Sequence, residues 1–202
     1  CSYRYSARTR DFMAIDGWPI AYNLSNTFRE IFKKSTSLQG ISVINEGVKT
    51  RDNGRFMRLW HETSNKSVLW KPYAKGGGAR RWYGNALYTV RWDSQLWNFQ
   101  KASGCNFKHF EKPTITYSTL SSHYFSCRYI ENSFFGGGGA GIVCNREEDI
   151  PLVLSILHTK VIDLIMKVLS PTLNFEVGTV GKIPVVVKPK EFDMKNSWAS
   201  VD

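Results

Sequence analysis

The sequence is poor in the residues that build metal sites. Its four cysteines (Cys1, Cys105, Cys127, Cys144) form no Cys-x-x-Cys pair, and its four histidines (His61, His109, His123, His158) stand singly. Structural zinc draws its ligands in closely spaced pairs, so no metal site is expected. Isolated thiols suit a reducing compartment, and the chain is expected to be cytoplasmic. No signal-peptide pattern opens it. No apolar run reaches bilayer length without a break: the most apolar stretch, 150–169, contains His158, Lys160, Asp163 and Lys167, so no membrane span is expected. Acids are also scarce, 17 against 27 lysines and arginines, for a net charge of +10.

Several catalytic signatures are missing as well. There is no G-x-x-x-x-G-K-[ST] run. Residues 136–141 match G-x-G-x-x-G, but "IVCNREED" follows, which starts no helix, so the run reads as a flexible loop or hairpin and not as a dinucleotide site. Glu147, Glu148 and Asp149 read as acids gathered before a helix N-terminus, where the helix dipole favours them. Asp193-Met-Lys195 has the D-x-K spacing of nuclease sites but no partner acid. No two of the seven prolines adjoin. The chain therefore lacks the Asn-Pro-Pro-aromatic turn that holds an exocyclic amine for methyl transfer. It also lacks a glycine-rich strand-turn site for S-adenosylmethionine. No group transfer is expected of it alone.

What is present suffices for a real core: 202 residues, of which 42% are apolar. "NLSNTFREIFKK" predicts a short helix capped by Ser25 or Thr27, with Thr27 and Glu30 at capping-box spacing. "GISVINEG" (40–47) predicts a strand, followed by a basic loop over 47–58. "ALYTVRW" alternates, with Tyr88, Val90 and Trp92 on one side. "PTITYS" and "YFSCRYI" are further strands. At 150–157 and 161–169 the apolar period becomes helical, with Asp149 and Thr159 as candidate caps and Ser170-Pro171 as the stop. "FEVGTVGKIPVVV" predicts extended chain, and the last dozen residues a polar tail. The class is α+β: a mixed or antiparallel sheet with flanking helices and a C-terminal helical pair.

The charge is concentrated. Between Gly47 and Trp92 stand ten cations (Lys49, Arg51, Arg55, Arg58, Lys66, Lys71, Lys75, Arg80, Arg81, Arg91) against two acids, Asp52 and Glu62. A surface of mixed function intersperses the signs; this segment has the footprint of a polyanion-binding face. Gly76, Gly77 and Gly78 let the backbone approach closely, and successive N–H groups in such a turn can form an anion nest. Lys75, Arg80 and Arg81 flank it. Trp82 and Tyr83 can stack on bases or anchor the loop to the core, and the core role is favoured because both types are usually buried.

"GVKTRDNGRFMRLWHE" (47–62), "WKPYAKGGGARRWYGN" (70–85), "TYSTLSSHYFSCRY" (116–129) and "LSPTLNFEVGTVGKIPV" (169–185) occur in an order that resembles the target-recognition region of adenine-specific DNA methyltransferases of the BREX phage-exclusion type. The specificity domains of fused type II restriction-modification enzymes are similar. The likeness runs from about residue 17 to 187. It implies that residues 1–40 continue from an upstream domain, that 41–187 form the DNA target-recognition domain, and that 188–202 are a polar tail. In such enzymes the upstream domain holds S-adenosylmethionine and the Asn-Pro-Pro-aromatic turn. The opening "CSYRYSARTRDF" reads as the interior of a longer polypeptide, so this chain is expected to bind without methylating and to hold no cofactor itself.

The family's T-G-D-N-x-R-F is matched by Thr50, Asp52, Asn53, Arg55 and Phe56, with Arg51 where glycine is usual. Lys75, Gly76, Gly77, Gly78, Arg80, Trp82, Tyr83, Gly84 and Asn85 match the glycine block, and Ser118, Ser121, Ser122 and Arg128 match the serine segment. Where the family often has an aspartate and a lysine after Phe135, this chain has Gly136–Gly139. The expected partners are double-stranded DNA and the upstream methyltransferase domain. The expected phosphate contacts are Lys49, Arg51, Asn53, Arg55, Lys71, Lys75, the glycines, Arg80, Arg81 and Tyr83. Ser118, Ser121, Ser122 and Arg128 lie where base readout is expected. A single-stranded nucleic-acid module stacking bases on the aromatics is the alternative.

Overall fold

The computed structural model describes residues 8, 13, 25–64, 67–102 and 107–186. The first helix, α1 (Asn26–Lys34), is capped by Ser25, whose hydroxyl accepts from Phe28 N; Thr27 lies inside it. Lys33 and Lys34 sit in its last turn, where cations suit the dipole. Two short elements follow, β1 (Thr36–Ser37) and α2 (Leu38–Ile41), leading into β2 (Ser42–Asn45). The stretch expected as a basic loop contains structure: α3 (Asn53–Phe56), capped by the Asp52 carboxylate accepting from Arg55 N, then β3 (Met57–Leu59). Next come β4 (Trp70–Ala74), β5 (Tyr88–Arg91) and a helix the hydropathy pattern did not announce, α4 (Ser94–Ala102). Its signal is Asp93, whose Oδ1 accepts from Leu96 N at 2.9 Å as an N-cap does.

The remaining elements are β6 (Thr114–Ser118), β7 (Cys127–Ile130), β8 (Phe134–Phe135), β9 (Gly139–Cys144), α5 (Ile150–Leu157), α6 (Lys160–Leu169), α7 (Val177–Val180) and β10 (Pro184–Val185). The helical pair forms as expected. Thr159 caps α6 by accepting from Ile162 N, and the helix stops at Ser170. Asp149 makes no side-chain cap; it ends a 3₁₀ turn, Glu147–Asp149, that runs into α5. The expected extended run after Phe175 is mostly not strand, because Val177–Val180 coil into one helical turn before β10 pairs with β1. Val180 and Ile183 can reach the core that way, and both are fully buried.

Two four-stranded sheets organise these pieces. The larger is antiparallel, in the order β2-β9-β6-β7; the smaller, β3-β5-β4-β8, is antiparallel except for β8, which runs parallel to β4. This is the mixed α+β class read from the sequence. The alternation of "TITYS" decides the layering. Ile115 and Tyr117, with Ala140 and Ile142, join the core with Val153, Leu157, Ile162 and Ile165 of the helical pair. Isoleucines and leucines this well buried cost about 2–5 kcal/mol when truncated to alanine. The opposite face carries Thr116, Ser118 and Arg128, with Gly141 registered against Thr116. Phe135 lies on that face: a Cβ at Gly141 would stand 2.6 Å from its ring. The smaller sheet has its own core of Val48, Phe56, Tyr73, Val90, Leu96 and Phe134. Among the described residues no helix is long and apolar enough to cross a membrane. The tail, Asp193-Met-Lys195, Lys66, Cys1 and Cys105 lie outside the described residues.

Candidate nucleic-acid interface

The two basic segments, 47–58 and 71–91, are neighbours in sequence and in space, and a distant stretch of chain joins them. The seam between them is the chain at Phe135–Gly138. Val48 N donates to Phe135 O at 2.7 Å, Gly136 N donates to Ala74 O at 3.1 Å, and the Tyr73 hydroxyl donates to Val48 O at 2.9 Å. Gly136 is obligatory in this seam, since a Cβ there would stand 2.1 Å from Val48 O, and its φ of 148° lies in the region open to glycine. Gly76 meets the carbonyl of Gly138 in the same way, at 2.3 Å. The run 136–139 is thus a pinned turn between two strands, not a flexible loop. No helix follows it to receive a dinucleotide, and protein backbone already occupies the space its glycines leave.

The first basic segment is held at Lys49, whose backbone N–H and carbonyl both bond the amide of the buried Gln100, at 2.9 and 2.7 Å. Its ammonium pairs with Glu46 and stays exposed. Arg51 has a φ of 58°, inside a three-residue turn closed by Asp52 N donating to Thr50 O. That conformation explains why glycine is usual at this place in the resembling family; the cation is carried on strained backbone. Asn53 accepts from the Thr50 hydroxyl at 2.5 Å. Arg55 donates to Gln95 Oε1 and lies over the Phe56 ring, and Arg58 lies over Trp70; both are exposed.

In the second segment the cations divide. Lys71 is tied to Glu111 at 2.6 Å. Lys75 lies 5.7 Å from the centre of the Tyr88 ring. Arg80 is exposed and pairs with no carboxylate among the described residues. Arg81 turns inward. It bonds Asp163 of α6 at 3.1 Å and lies 4.5 Å from the centre of the Tyr124 ring. Trp82 then pairs with the edge of β7, its N–H donating to Cys127 O at 3.0 Å and its carbonyl accepting from Tyr129 N at 2.9 Å. This covers an edge that would otherwise invite pairing with another chain. The aromatics are not core residues: Trp82 is 53% and Tyr83 76% exposed. Trp82 takes a φ of 69° in a turn closed by Tyr83 N donating to Arg81 O, and one side of its ring rests on His158.

The serine segment also divides. Ser122 is exposed; Ser121 is half-buried, its N–H on Leu173 O. Ser118 and Arg128 are inside. Arg128 is 1% exposed, donates to Ser118 Oγ at 3.0 Å and to Arg80 O at 3.4 Å, and meets no carboxylate among the described residues. The Ser118 hydroxyl in turn donates to Gly77 O at 2.8 Å, and Asn85 Nδ2 donates to Gly78 O at 2.9 Å. Arg128 as placed cannot reach a base; it supports the glycine loop from below. Burying a lone ion costs several kcal/mol, and desolvation holds its pKa below the usual guanidinium value. Nearby, burial also holds the His158 imidazole below its usual range and pushes the Cys127 thiol up.

Asn85 and Arg58 on this surface, and the buried Gln100 that holds it from behind, were not among the expected contacts. Asn85 had a sequence signal, as it closes the "RRWYGN" block; Gln100 had none, because its role depends on α4 packing beside Val48.

The chain is 32% identical over 209 residues to the adenine-specific methyltransferase PglX of Lacticaseibacillus casei (strain Zhang), covering 91% of this chain and 17% of that protein. It is 32% identical over 192 residues to the adenine-specific methyltransferase BrxX of Escherichia coli O9:H4 (strain HS), covering 87% of this chain and 16% of that protein. It thus spans about a sixth of the length of these curated relatives. No protein-family model matches the chain.

Proposed function

We propose that this chain is the double-stranded DNA target-recognition part of an adenine-specific DNA methyltransferase acting in phage defence, with residues 41–187 as the recognition domain. The catalytic domain, with S-adenosylmethionine, belongs to an upstream part of the same polypeptide. The observation that carries the reading is the seam at 135–138. It sets the two cation-rich segments side by side and leaves Lys49, Arg51, Arg55, Arg58 and Arg80 exposed, with Lys75 half-buried between them. Lys71 and Arg81 leave the contact set, because each is partly buried against an acid, and Arg128 leaves it because it is interior. The names of the two relatives support the methyltransferase context.

The test is fluorescence anisotropy with a labelled duplex of mixed sequence, comparing the wild type with the double variant Lys75→Ala/Arg80→Ala. The wild type should bind with a log–log salt slope of about −5, as six phosphate contacts give. The double variant should bind at least tenfold more weakly with a shallower slope. Equal duplex affinity of the two proteins at moderate salt would remove the proposal.

The exposure of Tyr83 and of Trp60 favours a second reading, a single-strand module that stacks bases on its rings. Competition decides between them: a single strand that displaces duplex of the same sequence favours stacking, and the reverse favours the duplex clamp.

A further inference from the structure

We infer that the loop Gly77–Arg81 is a binding site for one phosphodiester group, with Arg128 beneath it as a buried counter-charge. The inference deepens the duplex reading and rests on it for the source of the phosphate.

Three carbonyls of the loop are held from the protein side or across the loop. Gly77 O accepts from Ser118, Arg80 O from Arg128, and Gly78 O from Asn85. The described peptide bonds are all trans. In a trans peptide the N–H of the next residue points opposite to the carbonyl. The N–H groups of Gly78 and Arg81 therefore point away from the two buried side chains, and that of Ala79 away from Asn85. Among the described residues none of these three N–H groups has an acceptor. They are fixed donors that need no reorganisation to meet an anion, and Lys75 and Arg80 flank them.

Arg128 supplies the second, independent observation. A guanidinium 1% exposed without a carboxylate is rare, because an isolated buried charge is costly. Asp163, an acid of the adjoining helix, is engaged by Arg81. Arg128 lies directly against the loop, since it bonds the loop's own carbonyl and the serine that bonds another. Its field crosses protein and not salt water, so screening is weak. An anion seated on the outer N–H groups compensates this charge. A phosphodiester fits because its oxygens can accept from several N–H groups and cations at once.

The experiment is a titration of the ¹⁵N-labelled chain with sodium phosphate at constant ionic strength, with sodium chloride as control, following the amide protons of Gly78 and Arg81. A second arm measures duplex binding by anisotropy. Gly78→Ala keeps the N–H, and nothing lies within 4 Å of where its Cβ would stand; Gly78→Pro removes the N–H. The expected result is saturable downfield shifts with phosphate only, kept in Gly78→Ala and weakened about tenfold in affinity in Gly78→Pro, as loss of a hydrogen bond to a charged group implies. Shifts that fail to saturate, or that chloride reproduces, overturn the site. Duplex binding without phosphate shifts overturns this inference and leaves the duplex reading standing. Saturable phosphate shifts without duplex binding leave the site and end the duplex reading.

Discussion

Arg81 reaches the carboxylate of Asp163 at 3.1 Å across 82 residues of chain, and it is this ion pair that fastens the basic loop to helix α6. Its neighbour Arg80 has no such partner among the described residues and faces solvent. Two adjacent arginines therefore serve different ends. Arg81→Ala is expected to lower stability by about 1–2 kcal/mol, because it strands a partly buried carboxylate. Arg80→Ala is expected to stay within about 0.5 kcal/mol of wild type and to weaken duplex binding. Urea denaturation and anisotropy on both variants read the two effects separately.

Ser118 is the joint between Arg128 and the glycine loop. Ser118→Ala leaves one Arg128 N–H without a partner in a dry setting and takes the donor from the Gly77 carbonyl. The expected loss is about 1–3 kcal/mol, seen as a lower denaturation midpoint at unchanged denaturant slope. Ser122→Ala, at an exposed position, is the control and should be near neutral.

Arg51 stands at a φ of 58°. Glycine adopts that conformation without the Cβ clash, so Arg51→Gly should be more stable than Arg51→Ala by about 1 kcal/mol. Both variants lose the same cation and should weaken duplex binding equally. Thermal melts and anisotropy on the pair separate backbone strain from charge.

His158 Nε2 lies 2.9 Å from Cys127 O, and its buried Nδ1 has no partner among the described residues. Burial chiefly holds its pKa below the usual value of 6.5; the bond to Cys127 O and the charge of Asp163 oppose this, and the guanidinium groups of Arg81 and Arg128 add to it. His109 is depressed for the same chief reason, with Lys112 and Lys108 adding to it. The unfolded chain takes up these protons as pH falls through the usual value, before the folded chain does. Stability is therefore full well above that value and declines as pH drops through and below it. A series of melts across that value should show the decline, and His158→Gln should flatten part of it.

Much of the scaffold was legible because its signals are local. The period of Ile150–Leu169 with Thr159 between two helices, the alternation of "ALYTVRW", and the cap at Ser25 each depend on residues a few positions apart. Helix α4 was missed because Leu96, Trp97 and Phe99 make no clean stripe, although Asp93 marks its start. The short α7 reads as extended because its valines favour strands, and packing of Val180 against the core overrides that preference.

By itself the sequence determined the composition of the candidate site: a run of cations with few acids, and glycines at fixed spacing among them. It could not say which cations face outward. Arg80, Arg81 and Arg128 are the same side chain chemically, and only the fold gives one of them solvent, one a carboxylate and one a dry place under the loop. Charge is a property of the residue, while exposure and pairing depend on contacts between segments as distant as 81 and 163. Those contacts exist only once the two sheets and the helical pair have packed.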